Sequence, residues 1–176
     1  MSALRDAVTR PWTRDDLPAI NGLLRETWLD AYSPFIPRAD LTSYLEEHYS
    51  LEKLAALFAD ANVTGLVAEV DGAVAGYAKL YDSRADQRFC LHQLYVLPSK
   101  QGLGLGHLLM AGAERRALQI GADRIWLGVM LRNTRAVAWY GKMGYTVVET
   151  SPFVMGSTTV EHYIGYVPLP LPRSAG

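Results

Sequence analysis

Leu91–Met110, LHQLYVLPSKQGLGLGHLLM, joins an apolar run to a glycine-rich turn and then to a segment of helical periodicity. Leu91, Leu94, Tyr95, Val96 and Leu97 predict a short buried strand that stops at Pro98, which has no N–H to give to a ladder. Gly102, Gly104 and Gly106 follow, and a backbone without Cβ atoms can turn sharply there and present successive N–H groups to an anion. Leu105, Leu108, Leu109, Ala113 and Ala117 then recur at helical spacing, so the unpaired N–H groups of the helix's first turn face the same place as the loop. The stretch predicts a cradle for a pyrophosphate.

Two common nucleotide sites do not fit this spacing. A P-loop needs Lys followed by Ser or Thr after its glycines, and neither pair occurs here. A dinucleotide fold places its glycines after the first strand and an acidic residue about twenty residues on, at the end of a second strand. Here the loop lies past mid-chain, and Asp123 precedes the apolar run Arg124–Met130 instead of closing one.

Gln101, Gly104 and Gly106 match the acetyl-CoA motif of Gln or Arg, two residues, Gly, one residue, and Gly or Ala. Asn133–Tyr145, NTRAVAWYGKMGY, matches a second signature in which Asn opens a helix, Tyr lies seven residues on, and Gly-Phe or Gly-Tyr ends it. With both blocks in this order around the strand RIWLGVM, the chain resembles the GNAT superfamily of N-acetyltransferases. The resemblance implies a single-domain α/β fold over residues 1–168, with a mixed, mostly antiparallel sheet splayed between strands four and five, here 89–96 and 124–130. It implies acetyl-CoA as co-substrate, its pantetheine entering the gap. Cofactor contacts fall to Leu94, Tyr95 and Val96 as a pseudo-strand, and to the loop N–H groups of Gln101, Gly102, Leu103, Gly104, Leu105 and Gly106. Asn133 is either a helix N-cap or a cofactor contact, or both. Lys142 is a candidate contact for an adenosine phosphate.

Acetyl transfer to an amine requires a neutral nitrogen, a donor for the oxyanion, and a proton or hydrogen bond for the departing thiolate. The resemblance gives the second task to the N–H of Leu94 and the third to Tyr140. Many GNAT enzymes start the fourth strand with a Glu that relays the substrate's proton, and Cys90 stands at that position here. Strand alternation would put Cys90, His92, Leu94 and Val96 on one face, which makes His92 the nearest titratable substitute and leaves solvent as the other. Cys90 reads as a small buried side chain. IWLGVMLRNTRAVAWYGKMGY followed by SPFVMG is similar to the bacterial PaiA-type acetyltransferases of spermidine and spermine. That likeness implies a small polyamine acceptor, with Glu26, Asp30, Glu46 and Glu47 as anionic charge and Trp28, Tyr32 and Phe35 as aromatic walls. Protein N-termini and antibiotics are other acceptors of similar sequences. A sensor module that binds acyl-CoA without turnover is the alternative from another class.

The chain of 176 residues is long enough for one buried core, and its formal net charge of −1 offers no general attraction to nucleic acid or to an anionic membrane. A single cysteine excludes an intramolecular disulfide, and the four histidines show no metal-binding spacing, so no metal is expected. No apolar signal core or membrane span is present, so a cytoplasmic enzyme is the expectation, with a homodimer as one assembly left open. Ala7–Thr9 predicts a first strand, and Thr13 with Asp16 caps a helix carrying Ile20, Leu23, Leu24 and Trp28. Asp40 caps a second helix, and 51–58 forms a third. Strands 63–70 and 73–81 are joined by Asp71-Gly72, and 146–154 with 160–167 form a closing pair. Residues 169–176 read as a flexible tail.

Overall fold

Asp71 and Gly72 both adopt positive φ, 53° and 77°, as a two-residue hairpin turn requires. They join β2 (Val63–Val70) to β3 (Ala73–Ser83). The computed structural model describes residues 7–83 and 85–173. β1 (Ala7–Pro11) pairs antiparallel with β2, and β4 (Arg88–Val96) antiparallel with β3. β5 (Arg124–Met130), β6 (Thr146–Met155) and β7 (Thr158–Pro168) complete a seven-stranded sheet of order β1-β2-β3-β4-β5-β7-β6. The sheet is mixed and mostly antiparallel, as expected.

β4 and β5 are its parallel pair and touch only at Cys90↔Trp126 and Leu91↔Leu127. Beyond Leu91 the two strands part, so the edge of β4 from Gln93 to Val96 has a partner in β3 but none in β5. This is the expected splay.

Helices cover both faces. α4 (Leu105–Gln119) buries Leu105, Leu109, Met110, Ala113 and Ala117 against Leu66, Ala68, Ala78, Leu80 and Ile125. Truncating the fully buried Leu109 to Ala should cost about 2–5 kcal/mol. On the other face α1 (Leu17–Tyr32), α2 (Arg38–Tyr49) and α3 (Leu51–Ala59) enclose Ile20, Leu24, Leu41, Leu45 and Leu54 with Val67 and Tyr77. The short α5 (Thr134–Gly141) follows β5.

Several expectations are corrected. The Thr13–Asp16 box forms, Thr13 N–H donating to Asp16 Oδ2 at 2.6 Å, but it encloses a single 3-10 turn, Arg14–Asp16, that leads into α1. Asp40 does not cap α2, which begins at Arg38 after Pro37; its carboxylate instead accepts from Ser157 Oγ at 3.0 Å and Thr158 Oγ1 at 2.6 Å in the β6–β7 turn. The tail is docked where it is described: Leu169 N–H donates to the Asp123 carbonyl at 2.9 Å and Leu171 N–H to Glu114 Oε1 at 2.7 Å. Residues 174–176 of it lie outside the described residues.

Alternation also fails in β4. Lys79 pairs with Gln93 but Leu80 with Leu91, so His92 is the extra residue of a β-bulge. Phe89 and Leu91 before it and Leu94 and Val96 after it face the α4 core, whereas Tyr95 faces the core of α1–α3. Cys90 and Leu94 therefore do not share a face, and Gln93 and Tyr95 look toward α1.

Candidate active site

A cavity of about 1200 Å³ opens at the splay and continues from the glycine loop to the underside of α1. Its floor is the free edge of β4. The N–H and C=O of a strand residue point to the same side, so Val96 and Leu94, two residues apart, turn their backbone groups the same way. That side is the gap, because the Val96 carbonyl accepts Gln101 Nε2 at 3.2 Å instead of a strand neighbour. Gln101 Oε1 in turn accepts from Arg135, so this side chain buckles the loop to both β4 and α5.

The loop turns at Gly102 and Gly104, whose φ values of 80° and 81° strain any residue with a Cβ. Gly104 caps α4 with no side-chain hydrogen bond, which leaves the first-turn donors for a ligand. Gly106 packs so closely that a Cβ would lie 3.1 Å from Trp139 Cζ2. Lys100, Arg132, Arg135 and Lys142 line the cavity; Arg135 bonds Gln101 of the loop, whereas the Arg132 guanidinium lies 5.0 Å over the Phe35 ring. Uncapped N–H groups in a cavity that Lys100, Arg135 and Lys142 also line fit the diphosphate of acetyl-CoA. Leu103 is the exception among the loop residues, since it packs against the α4 core and is not part of the cavity wall.

α5 supplies the opposite wall. Asn133 Oδ1 accepts the Ala136 N–H at 3.2 Å, so it is an N-cap, and it also lines the cavity. About two turns on, Tyr140 reaches the cavity with 8% of its surface exposed, its ring 4.9 Å from that of Trp139. Burial pushes its phenol above the usual value, so it is a protonated donor at neutral pH.

The other end is an aromatic chamber. Trp28 stacks on Tyr44 at 5.5 Å, Tyr44 meets Phe153 at 5.7 Å, and Tyr49 lies 5.9 Å from Trp28. The hydroxyls of Tyr32 and Tyr95 share a hydrogen bond of 3.0 Å. His92 lines the cavity from the bulge, stacked on Tyr81 at 5.2 Å. Partial burial, then the nearby Lys79 ammonium, push its imidazole down to about 4; one edge remains open to solvent, which softens the shift, and the direction leaves the ring neutral at pH 7. Cys90 is half-buried, its thiol pushed up by burial, and is no ready nucleophile.

The acidic residues separate. Asp30 lines the cavity, whereas Glu26, Glu46 and Glu47 are exposed and outside its wall. Sequence reasoning passed over Lys79 and Gln93, both buried at 7% and 4% exposure and both in the chamber wall. The signal was present in GYAKLY, where Lys79 falls in alternation with Tyr77 and Tyr81, away from Ala78 and Leu80.

An open strand edge, an uncapped glycine loop and a protonated phenol around one cavity define an acyl-CoA-dependent acyltransferase. The chain matches the Acetyltransferase (GNAT) family over residues 22–145 and belongs to it. It is thus an acetyl-CoA-dependent N-acetyltransferase by family. An uncharacterized N-acetyltransferase of Mycobacterium bovis is 32% identical over 151 residues, 85% of this chain and 94% of the relative. The PaiA N-acetyltransferase of Thermoplasma acidophilum, solved with coenzyme A, superposes with a TM-score of 0.80 at 23% identity over 92% of this chain and 98% of that one. The spermidine N-acetyltransferase of Vibrio cholerae, solved with CoA and spermine, gives 0.69 at 20% identity over 93% and 95%. These two structural likenesses speak for the fold.

Proposed function

We propose that the enzyme acetylates a primary amine by direct attack on the thioester, with Leu94, Tyr140 and His92 or water carrying the chemistry. The observation behind this reading is the gap beyond Cys90↔Trp126 and Leu91↔Leu127, which brings the β4 edge, the glycine loop and the aromatic chamber into one cavity. The thioester lies along Leu94–Val96, where the Leu94 N–H faces the carbonyl oxygen and stabilises the charge that develops on it. A neutral amine enters from the chamber. Its nitrogen bonds to the carbonyl carbon and passes one proton to His92 or water as the C–S bond breaks. Tyr140 gives its phenolic proton to the departing sulfur and is reprotonated from solvent. The loop N–H groups, with Lys100, Arg135 and Lys142, hold the phosphates.

The likeness to PaiA-type enzymes suggests a polyamine acceptor, but the cavity wall supports it weakly. Lys79, Lys100, Arg132, Arg135 and Lys142 line it against Asp30 alone among the acids. A polycation would find little counter-charge.

Thiol release from acetyl-CoA on adding amines tests the reading. The parent should release CoA with at least one amine. Tyr140→Phe keeps the ring but removes the hydroxyl, so its turnover should fall by about ten- to a thousandfold with acetyl-CoA affinity retained. Normal turnover by Tyr140→Phe where chemistry limits the rate would remove the phenol from the mechanism. Binding without release for any amine would make the chain a sensor.

A further inference from the structure

Lys79 and Gln93 are cross-strand partners in β3 and β4, immediately beside the bulge at His92, and both are buried in the chamber wall. Neither is satisfied by the protein. No carboxylate lies within salt-bridge distance of Lys79 among the described residues; its Nζ sits instead 5.1 Å from the centre of the Tyr49 ring. Both polar atoms of the Gln93 amide, Nε2 and Oε1, are buried without a hydrogen-bond partner, and so is Trp28 Nε1 across the chamber. Leaving such groups unpaired costs about 1–3 kcal/mol each, and a polar group of a ligand in the chamber would recover that cost.

Resting on the acetyltransferase reading above, we infer that the acceptor carries a carboxylate beside its amine, received by Lys79 and Gln93, so that the enzyme acetylates a small amino acid with an apolar side chain. An ammonium and an amide N–H are the donors a carboxylate takes, and in a site shielded from water charge-assisted bonds are strong. Gln93 Oε1 remains free to accept from the acceptor's own nitrogen. The subsite adjoins Leu94 in sequence, so a molecule held by its carboxylate on Lys79 keeps its amine close to the thioester edge of β4. Trp28, Tyr44, Tyr49 and Phe153 offer apolar surface to the rest of the molecule. Burial pushes the Lys79 ammonium down to about 8, which still leaves it largely protonated at pH 7, with the Tyr49 phenol and the neutral His92 ring as its titratable neighbours. Asp30, at the cavity's exposed margin, is a single charge and does not convert the chamber to a site for polycations.

The test measures kcat/KM for the twenty common amino acids, for the amine each would give on losing its carboxylate, for the amide of each, and for spermidine. The inference expects at least one amino acid to exceed its own amine and amide by about 30- to 1,000-fold. In Lys79→Met that ratio should collapse toward one while acetyl-CoA affinity is kept, and Gln93→Leu should lower it without abolishing it. A deaminated acid of the same shape should inhibit competitively against the amino acid in the parent and not in Lys79→Met. Turnover confined to bare amines, amides or spermidine overturns the inference while leaving the transferase reading intact, as does an amino-acid preference that survives Lys79→Met. No thiol release with any amine, with acetyl-CoA bound, overturns both.

Discussion

At the scale of single residues, Lys79 carries a charge that the core would exclude if stability alone were at stake. Its ammonium is pushed from the usual 10.5 to about 8 by burial, so the folded state holds the proton less tightly than the unfolded chain. Below pH 8 both states are protonated and the fold bears the whole desolvation cost. Between about 8 and 10.5 the folded lysine is neutral while the unfolded one still binds its proton, so stability rises with pH through that window. Lys79→Met should therefore be more stable than the parent at pH 7, by about 1–3 kcal/mol in urea titration, with the gain shrinking as the pH approaches 10. A variant less stable than the parent at pH 7 would mean that the lysine has a compensating partner. Tyr140 was legible because it lies in a local motif seven residues after Asn133. Lys79 was not, because its meaning depends on pairing with Gln93 and on the chamber above it, and neither is a property of neighbouring sequence.

Among the elements, the backbone N–H groups of the loop and the first turn of α4 hold the cofactor's phosphates on the proposed reading, with Lys100, Arg135 and Lys142 beside them. Gly104→Asp would put a side chain at φ 81° and a negative charge among the first-turn N–H groups. Acetyl-CoA affinity should fall at least about tenfold in calorimetry, with the circular dichroism of the fold preserved. Undiminished binding would place the diphosphate elsewhere. The strand–loop–helix unit and the Asn–Tyr helix were legible because glycine spacing, a terminating proline and helical periodicity are written locally. The bulge in β4 was not: His92 is left over only because Lys79 and Leu80 of β3 take Gln93 and Leu91. That extra residue turns Gln93 and Tyr95 toward α1 and so builds the chamber. Asp40 was misread in the same way, since Ser157 and Thr158, more than a hundred residues on, claim the carboxylate that local sequence offered as a cap.

Across the whole molecule, the sheet's first edge is tied to the start of the helical layer by Arg10. Its guanidinium donates to Asp16 at 2.8 Å through two nitrogens and to Glu69 Oε1 from β2. The hydrogen bonds from Arg10, despite burial, hold the Asp16 carboxyl down at about 2, against 3.8 ordinarily. A lowered folded pKa contributes stability above the unfolded value and loses it as the pH falls through the folded one. Acidification from about pH 4 to 2 should thus erode stability in the parent, and the slope should be shallower in Asp16→Asn; equal slopes would mean that the ion pair does not persist in solution. On the proposed reading acceptor and donor share one continuous cavity, with Cys90 poorly ionised and no other nucleophile called for, and acetyl passes directly from thioester to amine. Initial rates with both substrates varied, together with the mass of the protein after incubation with acetyl-CoA alone, measure this most directly. The account predicts intersecting double-reciprocal lines and an unmodified chain, whereas parallel lines with a mass gain of one acetyl group would contradict it.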